Sequence, residues 1–299
     1  MTFLKIFVII YIEKIRKERK KIMNFLTKLA TENIENYNQY LNRMTVSTEV
    51  STKKNIPFYV KGNKILDVGC GSGVMLEKLR ELYDKKEIVG LEINKYAANI
   101  CRKKGFRIIE KPLEELNEKF DTIIFSSVLH EIASYNNNSN KYKIIKNVLN
   151  AAYDRLTVGG RIIIRDGVQA NLYPVFIEFK NKEVVKDYFK YCEDIGYNNF
   201  FTRRNVTDNT IVDCATIIKE FCFTYTWGKD SYAREVKERF GILTIDDWYR
   251  VVNNLFYIKC FETNKEQYLD YIKRFCVVDK NLEKMFEDAT VFIVAEKLL

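Results

Sequence analysis

The chain has 299 residues, of which 47% are hydrophobic, so it is long and apolar enough to bury the core of one large α/β domain or two small ones. Its formal net charge is +9, but residues 1–22 alone carry +5, so the remainder is only mildly basic and does not require an anionic partner. A single histidine and seven cysteines without C-x-x-C spacing argue against a zinc site, and we expect no bound metal.

The first segment, MTFLKIFVIIYIEKIRKERKK, combines an apolar start with a basic end. Its apolar part has about a dozen residues, whereas a membrane-spanning helix needs about 20. It also lacks the small-residue cleavage site of a signal peptide. An interfacial helix, an ordinary N-terminal helix and an extension upstream of a natural start at Met23 all remain open. We favour the last two, and we do not expect this segment to contact a membrane.

The next residues have a helical pattern, because apolar side chains recur at helical spacing over residues 24–44. Residues 45–57 are polar and predict a loop. We therefore assign residues 1–60 to an N-terminal helical extension. The odd number of cysteines, several of them in apolar runs, predicts reduced and mostly buried thiols in a cytoplasmic protein.

From Lys64 onward, short apolar runs alternate with amphipathic stretches. The runs KILDVG, EIVGLEIN, FRIIEK, FDTIIFSS and RIIIRDG predict strands, and the stretches between them predict helices. This alternation is typical of βαβ units with right-handed crossovers. We assign residues 61–168 to an α/β core with a doubly wound, mostly parallel sheet. Two later runs, LFYIKCFET and ATVFIVAEKL, bring the sheet to seven strands and assign residues 254–299 to the same core.

Residues 169–253 interrupt this rhythm between the fifth and sixth strands of the sheet. Their pattern is mainly one of helices and loops, rich in aromatic and charged residues. An insertion at this point lies over the carboxyl ends of the strands, where such sheets bind ligands. We therefore predict a helical lid that recognises the substrate. The alternative is a helical extension that only completes the core.

The turn after the first strand reads DVGCGSG, residues 67–73, and opens a helix. Glycines there let the backbone approach a ligand at the free N–H groups of the helix start. A dinucleotide-binding turn has the pattern G-x-G-x-x-G, but Val74 stands where its last glycine would be. No Gly-Lys-Ser/Thr sequence follows, which excludes a P-loop. The carboxylate of Asp67 disfavours a pyrophosphate and suits a ligand with a cationic amino group.

The second strand is followed by an acid that strengthens this interpretation. Glu92 lies 21 residues beyond Gly71, at a spacing where a carboxylate accepts hydrogen bonds from ribose hydroxyls. A solvated carboxylate at the end of a strand is the alternative for Glu92 considered alone. The glycine turn and the acid together indicate a nucleoside-containing ligand.

These motifs resemble those of class I S-adenosylmethionine-dependent methyltransferases. ILDVGCGSG is similar to their first motif, GLEIN to their second, FDTIIFSSVLHEI to their fourth strand, and RLTVGGRIIIRDG to their fifth. TVFIVAEKL is similar to the antiparallel last strand of that fold. The resemblance covers Lys64 to Asp166 and, more loosely, the final strand. It implies a Rossmann-like fold, S-adenosylmethionine as the cofactor, and methyl transfer as the activity.

The resemblance also implies a set of cofactor contacts. The amino group lies near Asp67, the methionine moiety and ribose pass the glycine turn, and Glu92 holds the ribose hydroxyls. Ile93 and Leu113 pack on the adenine, with Glu110 or Glu114 near its amino group, and Ser126 and Ser127 lie near the sulfonium. The cofactor-binding residues predicted in this way are Asp67, Gly69, Cys70, Gly71, Gly73, Glu92, Ile93, Leu113 and Ser126.

His130, the single histidine, follows the fourth strand beside the implied methyl position. An acceptor hydroxyl or ammonium must lose a proton, so an imidazole there is a candidate catalytic base. The alternative is that His130 packs against or caps the following helix. Asp166, at the end of the fifth strand, is the second catalytic candidate, with a simple turn residue as its alternative. Glu131 is a further polar contact for the acceptor.

The sequence says less about the molecule that accepts the methyl group. Arg203, Arg204, Trp227 and Tyr232 in the insertion could contact a flat or anionic molecule, although helices with charged outer faces have the same composition. We expect methyl transfer to oxygen or nitrogen of a small molecule. The alternatives are an RNA methyltransferase and a non-catalytic protein that binds S-adenosylmethionine. A nicotinamide oxidoreductase is disfavoured by Val74. The sequence predicts no oligomeric state.

Overall fold

The computed structural model describes residues 41–44, 46–48, 51–136, 140–198, 203–205, 209–265 and 268–298. The predictions for residues 1–40 lie outside these ranges. Residues 41–44 and 46–48 are helical. The loop predicted over residues 45–57 is instead largely a 3-10 helix, Thr52–Tyr59, because the side chain of Ser51 caps it and Ile56 is buried against the sheet.

The α/β core follows the predicted alternation. In chain order it contains β1 (Lys64–Val68), α1 (Val74–Leu82), β2 (Glu87–Leu91), α2 (Lys95–Lys103), β3 (Arg107–Ile109), β4 (Phe120–Ser126), α3 (Leu129–Ser134), α4 (Lys141–Arg155), β5 (Leu156–Gly167), β9 (Tyr257–Asn264) and β11 (Thr290–Glu296). The seven strands are ordered β3-β2-β1-β4-β5-β11-β9, and β11 runs antiparallel to both of its neighbours. The predicted mostly parallel seven-stranded sheet is confirmed.

Both faces of this sheet are covered, as the long apolar strands require. One face packs on α4 and neighbouring helices through residues such as Ile123, Leu149 and Ile164. The other face packs on α1 and the 3-10 helix through residues such as Ile56, Leu79 and Ile163. The carboxyl ends of β1, β2, β4 and β5 therefore lie side by side at one edge of the core, where the chain leaves each strand.

The insertion contains strands as well as helices. It comprises β6 (Pro174–Phe179), α5 (Lys182–Asp194), β7 (Arg203–Asn205), β8 (Thr210–Cys214), α6 (Ala215–Thr226), α7 (Tyr232–Glu235) and α8 (Ile245–Asn253). With β10 (Cys276–Val277), its strands form a second, antiparallel sheet in the order β10-β6-β8-β7. The expected helical lid is thus a mixed α/β unit. In β6, buried and exposed side chains alternate, as expected of a strand. The segment has only six residues and begins at a proline, so its sequence predicted a strand only weakly.

The boundaries of the insertion also differ from the predicted residues 169–253. The apolar side of α8, with Trp248, Val251 and Val252, packs into the main core. Conversely, the chain between β9 and β11 packs on the insertion. There, α9 (Tyr268–Ile272), β10 and α10 (Lys280–Glu287) contribute Ile272 and Phe286 to the insertion's own apolar core. Two separate crossings of the chain therefore hold the insertion in place.

The two units meet at the end of β5. Gly167 lies so close to the insertion that a Cβ on it would be 2.2 Å from the carbonyl oxygen of Phe240. The indole N–H of Trp248 donates to the Gly167 carbonyl oxygen at 3.1 Å, and Val168 bridges to Leu243. A side chain at residue 167 would separate these surfaces, so the glycine sets how closely the insertion covers the sheet.

All seven cysteines have free thiols, and Cys260 alone among them is not buried. In the described ranges, every helix is too short or too polar to cross a bilayer. The cytoplasmic location stays a prediction.

Replacing Trp248 with Phe should destabilise the protein by about 2 kcal/mol, because it removes a buried hydrogen bond to Gly167 and leaves a void. Chemical denaturation measures this change. The control is Tyr249→Phe on the exposed side of the same helix, with an expected effect below about 0.5 kcal/mol. Equal effects of the two substitutions would contradict this account of the joint between sheet and insertion.

Candidate active site

The glycine turn after β1 has one face open to a ligand. Gly69, Gly71 and Gly73 all have positive φ, at 70°, 54° and 86°. A Cβ on Gly69 would be 2.4 Å from Val128, and one on Gly73 would be 2.9 Å from Cys101. At Gly71, by contrast, no described atom lies within 4 Å of the Cβ position. The bare backbone at Gly71 is therefore the point where a ligand can approach closely.

Glu92 ties this turn to the end of β2. Its Oε2 accepts a hydrogen bond from the N–H of Gly71 at 2.9 Å, and its Oε1 accepts one from Asn94 at 2.7 Å. Burial raises the pKa of Glu92, and the hydrogen bonds from Asn94 and Gly71 oppose that shift. A carboxylate has about four acceptor positions, so two ribose hydroxyls can still be bound. The geometry suits the role that the sequence predicts.

Asp67 is almost completely buried near the end of β1. Burial, together with the negative charge of Glu92, raises the pKa of Asp67 to about 7, and the ammonium of Lys53 opposes the shift. Two neighbouring buried carboxylates facing one lysine make an environment that a further positive charge would stabilise. The amino group of S-adenosylmethionine carries such a charge, so Asp67 and Glu92 both fit the cofactor.

The remaining predicted cofactor residues are less directly placed. The side chain of Cys70 packs with Leu76 and Cys101 in a small apolar cluster, so any contact from Cys70 would come from its backbone. Leu113 is buried in the main core, in the short 3-10 turn Leu113–Glu115. Ser126 ends β4, Ile93 follows β2 in a loop, and the polar alternative Glu114 lies in the same 3-10 turn as Leu113. Glu110 forms an ion pair with Arg102. These assignments stay predictions.

His130 and Asp166 form a buried pair. His130 Nδ1 lies 2.7 Å from Asp166 Oδ1. The other oxygen of Asp166 accepts hydrogen bonds from the N–H groups of Leu129 at 2.9 Å and His130 at 3.2 Å. Asp166 therefore caps the start of α3 as well as orienting the imidazole. Burial alone would raise the pKa of Asp166, but the charge and hydrogen bond of His130 hold it below its usual value.

The second imidazole nitrogen faces the insertion, with His130 Nε2 3.7 Å from Glu238 Oε2. Burial disfavours the imidazolium, but the charges and hydrogen bonds of Asp166 and Glu238 outweigh it and raise the pKa of His130 well above its usual value. The surrounding carboxylates therefore favour the imidazolium form of His130. It must release a proton before it can act as the predicted base.

Three glutamates share one arginine beside this histidine. Arg234 approaches Glu131 at 3.6 Å, Glu235 at 3.6 Å and Glu238 at 3.4 Å. Burial and the charge of Glu238 raise the pKa of Glu131 to about 7 and that of Glu235 to about 8. Oε1 of Glu235 has no hydrogen-bond partner among the described residues. The single guanidinium of Arg234 therefore cannot fully balance the negative charge of three ionised carboxylates.

A cavity between the core and the insertion brings these groups together. The core contributes the ends of β4 and β5, including Ser127, His130 and Asp166. The insertion contributes Arg234, Glu235 and Glu238 together with aromatic side chains, and the N-terminal segment contributes Met44, Ser47 and Lys53. Arg43 fixes that segment to the insertion by donating to the carbonyl oxygen of Trp227 and to Ser231 Oγ at 3.0 Å.

Ser127 is the one described non-glycine residue with positive φ, at 58°. Its N–H donates to the Arg165 carbonyl oxygen at 2.7 Å, and its hydroxyl accepts a hydrogen bond from the Arg165 guanidinium at 2.6 Å. Backbone in this region costs roughly 1–3 kcal/mol and is commonly found at functional sites. The two contacts from Arg165 hold the strained turn where β4 enters the cavity.

The insertion residues singled out from the sequence have different positions. Trp227 lines the cavity. Tyr232 instead donates its hydroxyl to Asp194 at 2.7 Å and is not among the cavity residues. Arg203 and Arg204 are described only in the main chain of β7, at the edge of the second sheet. Glu235, at the end of α7, and Glu238, just beyond it, could not be recognised from the sequence, because acids in a polar, charged stretch usually face solvent.

The Glu235→Gln variant should be more stable than the unaltered protein at pH 8.5 and similar to it at pH 5. The pKa of Glu235 is about 8 when folded and near 4.3 when unfolded, so its favourable contribution is lost as the pH rises through 8. Thermal unfolding measures this as a shift of roughly 2–4 °C per kcal/mol. The exposed Glu193→Gln is the control. A lower melting temperature for Glu235→Gln at pH 8.5 would contradict the burial of an undercompensated carboxylate.

Comparisons with known proteins agree with the chemistry of these strand ends. A family model described as a methyltransferase domain matches residues 60–289. A probable cobalt-precorrin-6B C(15)-methyltransferase (decarboxylating) of Saccharolobus solfataricus is 29% identical over 117 residues, covering 35% of this chain. The match spans about half, 52%, of that relative's length.

Among solved structures, the plantazolicin methyltransferase BpumL in complex with a monoazolic desmethylPZN analog and SAH is 12% identical, with a TM-score of 0.43 and coverage of 94% of this chain and 90% of that one. The N-methyltransferase NodS of Bradyrhizobium japonicum is 10% identical, with a TM-score of 0.39 and coverage of 88% and 98%. Likenesses this distant say nothing about the acceptor. The family match over most of the chain confirms the predicted methyltransferase fold and its S-adenosylmethionine cofactor. The chain belongs to the family of S-adenosylmethionine-dependent methyltransferases.

Proposed function

We propose that this protein transfers a methyl group from S-adenosylmethionine to an oxygen or nitrogen atom of a small molecule held in the cavity. The observation that carries the proposal is that the cavity adjoins the cofactor residues. Lys53 lines the cavity and also lowers the pKa of Asp67, and Arg234 lines it and lowers the pKa of Glu92. A molecule in the cavity would therefore lie next to a cofactor bound at the glycine turn.

Gly71, Glu92 and Asp67 are the residues that we propose hold the cofactor. Gly71 offers the open backbone, Glu92 the acceptors for the ribose hydroxyls, and Asp67 the counter-charge for the amino group. When bound, the cofactor supplies a methyl group on a sulfonium, whose thioether leaving group needs no acid. The chain's own task is then to align the acceptor with that methyl group and remove a proton.

The acceptor site supports a small molecule over RNA. The cavity lies between the core, the insertion and the N-terminal segment, and a recess enclosed in this way suits a small molecule. Its wall includes Glu131, Asp166, Glu235 and Glu238, and carboxylates repel a phosphate backbone. The N-terminal segment also covers one side, which leaves less room for a polymer.

His130 and Asp166 are the pair that we propose serves in proton removal. Asp166 orients the imidazole and holds its Nδ1 proton, so Nε2 is the atom that would exchange a proton with the acceptor. The positive sulfonium of the cofactor disfavours a nearby imidazolium, so cofactor binding would favour the neutral, basic form of His130.

Wild-type protein should bind S-adenosylhomocysteine, the demethylated product, with a micromolar dissociation constant in a calorimetric titration. Glu92→Ala should weaken binding by about 10- to 100-fold, because hydrogen bonds to a charged group contribute about 1.5–3 kcal/mol each. Glu81→Ala, an exposed acid on α1, is the matched control and should leave binding unchanged. Absence of binding by the wild-type protein would contradict the proposed function. It would also contradict the alternative of a non-catalytic protein that binds the cofactor.

The rate of methyl transfer should rise with pH beyond 6.5, because the pKa of His130 is raised and the base is active only after losing its proton. An acceptor found by incubating protein, methyl-labelled cofactor and a metabolite extract would serve for this assay. His130→Gln should slow transfer by about 100-fold or more and remove this pH dependence, while S-adenosylhomocysteine binding stays within about threefold. An unchanged rate and pH profile in the variant would exclude the base role.

A further inference from the structure

Acidic side chains outnumber basic ones around the cavity and the adjoining cofactor site. Six carboxylates face this region, and the cations opposite them are Lys53, Arg165, Arg234 and the imidazolium of His130. The carboxylates belong to Asp67, Glu92, Glu131, Asp166, Glu235 and Glu238. The cofactor brings one net positive charge through its sulfonium, because its amino and carboxylate groups cancel. With all six acids ionised and His130 protonated, a deficit of one positive charge therefore remains inside the cavity.

Glu235 is where this deficit is concentrated. It is 1% exposed, and its Oε1 has no hydrogen-bond partner among the residues that the structure describes. Its nearest cation, Arg234, is 3.6 Å away and is shared with Glu131 and Glu238. Leaving a buried carboxylate oxygen unpaired costs several times more than leaving a neutral group unpaired, so the site favours a ligand that donates a charged hydrogen bond.

The aromatic residues of the cavity favour the same kind of ligand. Phe223, Trp227, Phe240 and Tyr268 line its insertion side, and Phe223 packs on Tyr268 with ring centroids 4.8 Å apart. The faces of aromatic rings attract an ammonium by about 0.5–2 kcal/mol and also accept an apolar group attached to it. Carboxylates on one wall and aromatic rings on another are the combination that binds an organic amine.

A divalent metal is the competing occupant. His130, Glu131 and Glu238 each offer a ligand atom, and these atoms lie within 4.8 Å of one another. A dication there would have to displace the Arg234 guanidinium from both glutamates and would approach the imidazolium of His130. A single ammonium at Glu235 leaves those ion pairs in place and supplies the one missing charge.

We propose that the methyl acceptor is an organic amine that enters as its ammonium, with Glu235 as the carboxylate that binds it and the aromatic side of the cavity holding its carbon skeleton. This inference rests on the proposed function and narrows the acceptor atom from oxygen or nitrogen to nitrogen.

The transfer step then balances without any further reactant. The ammonium gives one proton to a carboxylate or imidazole of the cavity, and its nitrogen regains a lone pair. That lone pair forms the new N–C bond to the methyl carbon while the C–S bond breaks and its electron pair stays on sulfur. The products are a methylated ammonium, the neutral thioether and a protonated cavity side chain. Because burial raises the pKa of Glu235 to about 8, its carboxylate, once ionised, is a stronger base than that of an exposed glutamate.

The test compares benzylammonium with benzyl alcohol as probes for protein saturated with S-adenosylhomocysteine, by calorimetry at pH 8.5, where Glu235 is ionised. Benzylammonium should bind at least about tenfold more tightly than the alcohol, a difference of about 1.4 kcal/mol. Glu235→Gln should remove this preference and leave alcohol binding within about threefold. Glu193→Gln, an exposed acid on α5, is the matched control and should keep the preference. Glu131→Gln, at a half-buried position, should reduce the preference partially and guards against misfolding of the first variant.

The outcomes separate this inference from the proposed function. The proposal of an amine acceptor would be overturned by equal affinity for the two probes, by binding of neither, or by a preference that survives Glu235→Gln. Titration with MgCl₂ or ZnCl₂ alone is the metal arm, and a metal that binds and displaces benzylammonium would also overturn it. In each of these cases S-adenosylhomocysteine still binds and the methyltransferase proposal stands. If S-adenosylhomocysteine fails to bind, both proposals fail together.

Discussion

The carboxylate of Asp166 is the constraint on which the site depends. It stands at the end of β5 and accepts hydrogen bonds from the first turn of α3, from the N–H of Gly167 and from the imidazole of His130. One side chain thus fixes the exit of β4, the exit of β5 and the orientation of the histidine. Because Gly167 also receives Trp248 and packs against Phe240, the same point sets the height of the insertion above the sheet. A shift of Asp166 would alter the floor and the roof of the cavity together.

The charges of the cavity follow from this closed geometry. Burial would ordinarily eliminate ionised groups, yet Glu235, Glu238 and Asp166 are each about 1% exposed. Breaking a buried ion pair leaves an uncompensated charge, so each of these groups depends on the others. The sharing of Arg234 among three glutamates leaves the protein less stable than a fully paired or apolar interior would. Such a cost is reasonable where cofactor and acceptor complete the set of charges.

The α/β core could be predicted from the sequence because its strands and helices follow regular local patterns. Each core strand is an apolar run and each crossover helix has an apolar side, so the sheet could be predicted. Gly71 and Glu92 follow their strands at a characteristic spacing, so they could be named as candidate cofactor residues, and that assignment stays a prediction. The insertion follows no such rule. Pro174–Phe179 is short for a strand signal. Helix α8 belongs to the core because Trp248, Val251 and Val252 pack there, and Trp248 bonds to Gly167, 81 positions away in the chain. The burial of Glu235 could not be predicted for the same reason, since the residues that bury it are far away in sequence.

The central claim is that a cofactor at the glycine turn lies next to an acceptor in the carboxylate-lined cavity. A crystal structure with S-adenosylmethionine bound tests this claim most directly. The account predicts electron density with the ribose hydroxyls on Glu92, the adenosine passing Gly71, and the sulfonium methyl group directed into the cavity between Ser127, His130 and Glu235. A cofactor bound elsewhere, or bound at the turn with its methyl group facing away from that cavity, would contradict it.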